Sequence, residues 1–334
     1  MSWPHTVIGA YLTQSVLHAF VALILVEVSF HAWEIDDHLS KFRYRLLTLG
    51  LPVVMFPLFQ LISPDRGSWH FRLSFALFDS QRWLDMKVMD LYPFSLAFIL
   101  LACGFTVLFA LQEVLPLFRY RRHSETEKEY ETTGEGAARM DAVLEEISKE
   151  AGVTKPSSLV IREPHPILYT RGFRKHTVII SGSLLRRLND RQLRAALLHE
   201  MVHIMRGSSL KTPFIYLLRM LMFYNPVSLV EFRRIMQDEE FICDAIATSI
   251  TGNPAALSSA LAAFYYHPET EPAGDHEEGL AGVKDRVETH SHNIMIDERI
   301  DKLHGVDPIV TDGFRPFPFL LTAAVILLAG YLVV

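Results

Sequence analysis

Four long apolar blocks alternate with polar segments along the 334-residue chain. They cover about residues 7–26, 46–62, 92–111 and 317–334. A helix of about 17 to 20 residues is long enough to cross about 30 Å of hydrocarbon. The pattern therefore predicts three transmembrane helices, at about 7–29, 46–62 and 92–111, and a fourth within 313–334.

The charged residues collect between about 119 and 312, and a stretch of this length can bury a core of its own. Residues 176–181 predict a short strand because they are rich in β-branched side chains and precede Gly182. A polar helix is expected at about 126–151. The Pro-, Gly-, Glu- and Asp-rich stretch at about 267–286 indicates a mobile loop.

The expected architecture is thus a multi-pass α-helical membrane protein with one water-exposed α+β domain. That domain should be mostly helical, with a small sheet. The predicted division is an N-terminal membrane region at 1–118, the domain at 119–312 and a C-terminal transmembrane helix at 313–334.

Composition narrows the function classes. Half of the residues are apolar, the formal net charge is −6, and there are only two cysteines, Cys103 and Cys243. These numbers argue against a nucleic-acid partner, a disulfide framework and a cysteine-based zinc site. The N-terminus has no basic segment followed by a small-residue cleavage site, so we expect no cleavable signal peptide.

Basic residues near the membrane ends predict the orientation, because cytoplasmic loops are enriched in Lys and Arg. Basic residues lie between the first two blocks and directly after the third: Lys41, Arg43, Arg45, Arg119, Arg121 and Arg122. If all the blocks span the membrane, these two groups are on the same side of it. The domain at 119–312 should therefore face the cytoplasm. The loop at about 63–91, which would face outward, also carries four basic residues and weakens this prediction.

The motif HExxH supplies the first candidate chemistry. His199 and His203 are four residues apart, so on a helix their imidazoles face the same way and can bind one zinc ion. Glu200 between them can act as a general base. Asn189 and Gln192 form a capping-box pattern at the predicted start of this helix. The alternative is a helix whose histidines only pack or form local hydrogen bonds.

A third ligand is expected from a second helix, capped by Asn225. Glu240 is the candidate, because Asp244 lies four residues later and can orient a metal-bound histidine. Glu239 is the rival, although its i+4 neighbour Cys243 offers no such support. Three adjacent acids also fit a merely solvated cluster.

The apolar segment 213–223 between the two ligand helices cannot be a single membrane crossing. Such a crossing would put the metal ligands on opposite sides of the bilayer, and a two-helix hairpin needs about 40 residues. We therefore expect this segment to pack on the domain or to lie at the membrane surface.

The chain resembles the BlaR/MecR-type membrane metallopeptidases. The resemblance rests on the two ligand motifs and on residues between them: His199-Glu-Met-Val-His203, Arg206, Phe223-Tyr-Asn-Pro226, Arg233 or Arg234, and Glu240-Phe-Ile-Cys-Asp244. It implies a gluzincin of the bacterial inner membrane with one catalytic Zn²⁺. Those antibiotic sensors continue into a penicillin-binding domain, whereas this sequence stops at Val334, so β-lactam sensing is not carried over.

A second resemblance is to the HtpX-like gluzincins. It rests on Thr289-His-Ser-His292 followed by Arg299, Ile300 and Leu303. By this likeness His290 or His292 would stabilise the oxyanion and Arg299 would anchor the site. A solvated His-rich loop is the alternative.

The prediction is an integral-membrane zinc endopeptidase that cleaves protein or peptide substrates at the cytoplasmic face and clips a repressor or partner in signalling. The strand at 176–181 could pair with the substrate. The expected partners are the substrate, the lipid bilayer and a sensor or regulatory protein. The alternatives are an HtpX-like quality-control protease, a non-catalytic zinc-binding regulator and a transporter. A transporter should carry inward-facing polar groups in its crossing helices, and here only Gln14 and His18 stand out.

Overall fold

The structure is a computed structural model that describes residues 3–114, 130–131, 135–162, 166–265, 296–304 and 313–334. The predicted loop at 267–286 lies outside these residues. Of the helix predicted at 126–151, the described part begins at Glu135.

Helices dominate the described chain. They are α1 (Val7–Ala32), α2 (His38–Ile62), α3 (Trp69–Ser74), α4 (Ser80–Leu84), α5 (Pro93–Phe109), α6 (Glu135–Ala151), α7 (Gly182–Arg187), α8 (Asp190–Met205), α9 (Ser208–Leu221), α10 (Pro226–Thr251), α11 (Pro254–Tyr265), α12 (residues 296–304) and α13 (Pro316–Tyr331). Single turns of 3-10 helix lie at Trp3–His5 and Pro64–Gly67, and a π-helical turn at Ala110–Val114 follows α5. The strands are β1 (Tyr130–Glu131), β2 (Ser157–Ile161), β3 (Leu168–Arg171) and β4 (Thr177–Ser181).

The chain divides into two compact units. The first, here called the helical unit, contains residues 1–125, 213–239 and 311–334. The second, the sheet unit, contains residues 126–212 and 240–310. The division is not linear in sequence, because residues 213–239 group with the apolar helices and not with the middle of the chain.

Three helices of the helical unit, Val7–Ala32, His38–Ile62 and Pro93–Glu113, are long and apolar enough to cross a membrane. Helix α13 is apolar but has only 16 residues, and at about 1.5 Å per residue it is short for the hydrocarbon core. The fourth crossing therefore stays a prediction. Helix α1 packs against α2 and α13, and Ser29 lies 2.9 Å from Thr322 between their hydroxyl oxygens.

Two polar side chains inside α1 have structural partners. The guanidinium of Arg66 donates to Gln14 at 3.0 Å and to the backbone oxygens of Gly330 and Tyr331 at 2.9 and 2.7 Å. The Nε2 atom of His18 lies 3.3 Å from the Val333 oxygen. An arginine on the last carbonyls of a helix satisfies groups that the helix itself leaves unpaired. Gln14 and His18 thus help to hold the end of α13.

Residues 213–239 join the helical unit through apolar contacts. Met222, Tyr224 and Val227 form a buried cluster with Val16 and Ala19 of α1. The hydroxyl of Tyr224 lies 2.7 Å from Ser15 Oγ. The segment 213–223 that looked like a membrane crossing is thus the second part of α9 and the turn after it, packed within this unit.

The sheet unit is built on a four-stranded sheet in the order β1-β2-β4-β3. Strands β2 and β4 are parallel, while β3 and β4 are antiparallel, with Thr170 opposite Val178. Strand β4 is paired on both sides, so the prediction that residues 176–181 would pair with a substrate is wrong. Strands β1 and β3 lie at the two edges of the described sheet.

The sheet-unit core lies between the sheet and the surrounding helices. Helix α6 contributes Met140, Leu144 and Ile147, whose spacing puts them on one face, and α8 contributes Leu193 and Leu197. The predicted fold class is confirmed: the chain is mostly helical, with three long apolar helices and a small sheet.

Candidate functional site

Helix α8 carries the first two candidate ligands. It begins where the sequence predicted, because Asn189 and Gln192 form a complete capping box with bonds of 2.9 and 3.0 Å. It is followed by Gly207, whose φ of 69° suits the end of a helix. Leu193, Leu197 and Met201 are fully buried, which fixes the helix on the core and orients its histidines.

Helix α10 carries the third candidate. The Asn225 side chain accepts a hydrogen bond from Val227 N at 3.0 Å and so caps its start. The part of α10 that belongs to the sheet unit begins at Glu240 and buries Cys243 and Ala247 in the core.

The three candidate ligands converge. His199 Nε2 and His203 Nε2 are 3.1 Å apart, and each lies 3.4 Å from an oxygen of Glu240. Tetrahedral zinc with ligand distances of about 2.0 to 2.2 Å places its ligand atoms about 3.3 to 3.6 Å apart. The donor set and its spacing therefore fit one zinc ion.

Asp244 fixes the orientation of one imidazole. Its Oδ1 lies 2.8 Å from His199 Nδ1, and its side chain is buried. A carboxylate on Nδ1 keeps the proton on that nitrogen and leaves Nε2 free to bind a metal. The spacing of Glu240 and Asp244 predicted this contact with a histidine, and the role of Asp244 toward a bound metal stays a prediction.

Arg299, on α12, links the two carboxylates. Its Nε and Nη2 atoms donate to the two oxygens of Asp244 at 2.7 Å each, and its Nη1 atom lies 2.9 Å from Glu240 Oε2. Ile296 of the same helix is buried in the core, with Ile300 packed against it. Apolar anchoring of α12 thus presents the guanidinium to the site, where it balances the acidic charge.

The site is strongly coupled electrostatically. Burial alone would lower the pKa of His199, but Asp244 and Glu240 outweigh it and raise the pKa to about 9. Burial would raise the pKa values of Glu240 and Asp244, yet the histidines and Arg299 hold both below their usual range. Without a metal, the imidazole of His199 is therefore protonated and both carboxylates are ionised at neutral pH.

Glu200 lies beside the edge of the sheet. The hydroxyl of Thr170 on β3 donates to Glu200 Oε2 at 2.8 Å. Glu200 is half-buried, so part of the residue is open to water. Sequence analysis missed Thr170, because no local pattern connects it with a residue 30 positions away.

Two other neighbours of the site were also missed. His203 Nδ1 lies 3.3 Å from Ser208 Oγ and 3.4 Å from Cys243 Sγ. Either contact can orient the ring of His203. Cys243 follows Glu240 by three residues and so shares its helix face, which was the one available signal.

The remaining predicted residues have different outcomes. Arg299 lies at the site, in contact with Glu240 and Asp244. His290 and His292 lie outside the described residues, so their proposed role in oxyanion binding stays a prediction.

Comparison with known proteins gives one family. A family model described as BlaR1 peptidase M56 matches residues 93–254, which include all of α8 and α10. No curated protein matches the chain. The match supports the resemblance to the BlaR/MecR type but not the resemblance to HtpX-like gluzincins.

Proposed function

We propose that this chain is a zinc endopeptidase with His199, His203 and Glu240 as metal ligands, in keeping with the match of residues 93–254 to the BlaR1 peptidase M56 family model. The family match and the three long apolar helices support a membrane-associated metallopeptidase that acts on protein substrates. The observation that carries the proposal is the convergence of two imidazole Nε2 atoms and one carboxylate within 3.4 Å of one another.

Glu200 is the general base of the proposed reaction. Its carboxylate, oriented by Thr170 through the 2.8 Å bond, takes the proton of the attacking water and passes it to the leaving amine. Zinc, when bound, supplies a Lewis acid that polarises the scissile carbonyl. Asp244 and Arg299 keep His199 and Glu240 aligned, which is the usual role of groups that contact metal ligands.

The peptide substrate binds along the edge of β3. The side of β3 away from β4 has no strand partner among the described residues, so its backbone groups can pair with an extended peptide. Thr170 ties this strand to Glu200, so a peptide paired there lies next to the base. This assignment replaces the central strand β4 that the sequence suggested.

The decisive experiment compares purified full-length Glu200→Gln protein with wild type. We expect the variant to bind zinc with one ion per chain and to lose at least a hundredfold in cleavage of a peptide library. Glu145→Gln, which changes a surface carboxylate paired with Lys149 on α6, is the matched control and should cleave normally. Wild-type turnover by Glu200→Gln with zinc bound would sink the general-base role.

The biological setting is also part of the proposal. The basic residues Lys41, Arg43 and Arg45 favour a cytoplasmic sheet unit in a bacterial inner membrane. Protease added to intact spheroplasts should then leave the sheet unit uncut, whereas cleavage there would contradict this orientation.

We further propose that the enzyme clips a cytosolic repressor or partner. Glu200→Gln expressed in cells should trap that protein for identification by mass spectrometry. Recovery of misfolded membrane proteins alone would favour a quality-control role instead.

A further inference from the structure

The hairpin that joins β3 to β4 projects a tightly shaped tip. The loop between the strands spans residues 172–176, and Gly172 has a φ of 114°. A Cβ atom on Gly172 would lie 2.0 Å from the Lys175 oxygen, so only glycine fits there. At its base, His176 Nδ1 lies 3.5 Å from Ser209 Oγ. The tip therefore presents its side chains in a defined arrangement.

This tip is strongly basic. Arg171, Arg174 and Lys175 are exposed, and none of the three forms an ion pair within the described part of the chain. Residues 166–189 contain no Asp or Glu, although the whole chain has a net charge of −6. Phe173 between them is 59% exposed. The surface combines unneutralised positive charge with one apolar ring.

The basic tip directly continues the proposed substrate edge. Arg171 follows Thr170, which contacts Glu200 at 2.8 Å. A peptide paired with β3 would run about 4.8 Å from it and advance about 3.3 Å per residue. Its side chains about two to five residues from the scissile bond would then reach the tip.

We propose that this hairpin selects acidic peptide segments, so that the enzyme prefers substrates with Asp or Glu two to five residues from the scissile bond. The inference rests on the proposed peptidase function and names its substrate class. Charge complementarity supports it, because cations with no ion-pair partner beside a binding groove attract acidic ligands and disfavour basic ones.

The test uses full-length protein in nanodiscs and a cleaved library peptide that carries Asp or Glu in this window. Its counterpart replaces those residues by Asn or Gln. At low salt, the kcat/KM of wild type should be roughly three- to tenfold higher for the acidic peptide than for its neutral counterpart. The expected ratio is this small because each exposed ion pair is weak, and it should decrease at high salt, which screens the charges. The double variant R174Q/K175Q should cleave the two peptides within twofold of each other.

The matched control is R186Q/R191Q, which removes two exposed cations outside the hairpin and should keep the preference. Equal cleavage of both peptides by wild type, or an unchanged preference in R174Q/K175Q, would overturn the inference. A different result would be a loss of cleavage rate by R174Q/K175Q only in nanodiscs of anionic lipid. That result would show that the tip binds a lipid surface, and it would also overturn the inference. Absence of any cleavage by wild type would instead contradict the proposed function itself.

Discussion

Helix α10 carries two pairs of carboxylates whose partners differ. In the helical unit, Asp238 contacts Arg45 and lies 2.8 Å from His38 Nδ1, and Glu231 lies 3.0 Å from Arg234. In the sheet unit, Glu240 and Asp244 contact His199 and Arg299, and Glu240 also contacts His203. The first pair meets mainly guanidinium groups, whereas the second meets two imidazoles whose Nε2 atoms lie together.

The partners decide what each pair can do. A guanidinium cannot lose its proton and offers no lone pair, so a carboxylate held by arginines is only charge-balanced. An imidazole can release its proton to a metal and then bind it. Burial raises the pKa of Glu231 despite the nearby Arg234 and Arg45, whereas the histidines and Arg299 hold the pKa of Glu240 far below its usual range. Carboxylates on one helix can thus be charge-balanced by arginines in one part and form a candidate metal site a few residues later.

The largest expected effect comes from a change in the carboxylate pair of the sheet unit. Glu240→Gln should lose bound zinc and more than a thousandfold in peptidase activity, because one of three protein ligands is gone. Metal content by mass spectrometry and peptide cleavage measure this.

Asp238→Asn is the matched change two residues earlier on the same helix. It should keep zinc and cleave within a few-fold of wild type. It should lower the free energy of unfolding by about 3 kcal/mol, since it removes the charge of a buried carboxylate that is paired with Arg45 and His38. Zinc bound equally well by Glu240→Gln, or lost from Asp238→Asn, would contradict the contrast.

The next effect concerns pH. Zinc must displace the proton from His199, whose pKa in the metal-free protein is about 9. The apparent zinc affinity should therefore rise about tenfold per pH unit from neutral pH and level off above about pH 9. Competition with a chelator at several pH values measures it, and a flat profile would exclude a protonated His199.

The same proton affects the metal-free fold in the opposite direction. His199 has a raised pKa in the folded state, so its contribution to stability is complete below its ordinary pKa of 6.5 and is lost as the pH rises through about 9. Thermal unfolding of the metal-free protein should show a Tm that falls over this range. The zinc-bound protein should lack this step.

A smaller effect is expected at Arg299. Arg299→Lys should weaken zinc binding tenfold to a hundredfold, because an ammonium cannot contact both oxygens of Asp244 and one of Glu240 together. Arg194→Lys is the matched control, since Arg194 contacts Glu146 and Glu150 elsewhere in the sheet unit. Equal zinc affinity in both variants would assign Arg299 to the fold alone.

The smallest effect is expected at Thr170. Thr170→Val removes the hydroxyl that orients Glu200 and should lower kcat about fivefold, with KM and zinc content unchanged. Thr170→Ser keeps the donor and should restore kcat. A loss of kcat in the serine variant as large as that in the valine variant would show that shape, and not the hydrogen bond, matters at this position.

Local signals in the sequence were sufficient for the helices and for most of the site. The i, i+4 spacing of His199 and His203, the capping box at Asn189 and the long apolar runs all depend on residues close in sequence. The same holds for Glu240 and Asp244, because one turn of helix brings them to one face. Arg299 is different: it was found by resemblance alone, since it lies 55 residues from Asp244.

Strand order was the point at which local reasoning failed. Residues 177–181 gave the clearest strand pattern because β4 is buried in the centre of the sheet, and a central strand has no free edge for a substrate. The edge strand β3 has a weaker pattern, since only alternate residues face the protein.

The sequence by itself therefore predicted which residues are candidates to bind a metal, because ligand spacing on a helix is a local property. Only the tertiary structure decided which strand meets Glu200, which side chains orient His203, and that residues 213–239 pack with the helical unit. Those outcomes depend on contacts between residues far apart in the chain. The free energy of such contacts comes from packing, which no local pattern in the sequence reveals.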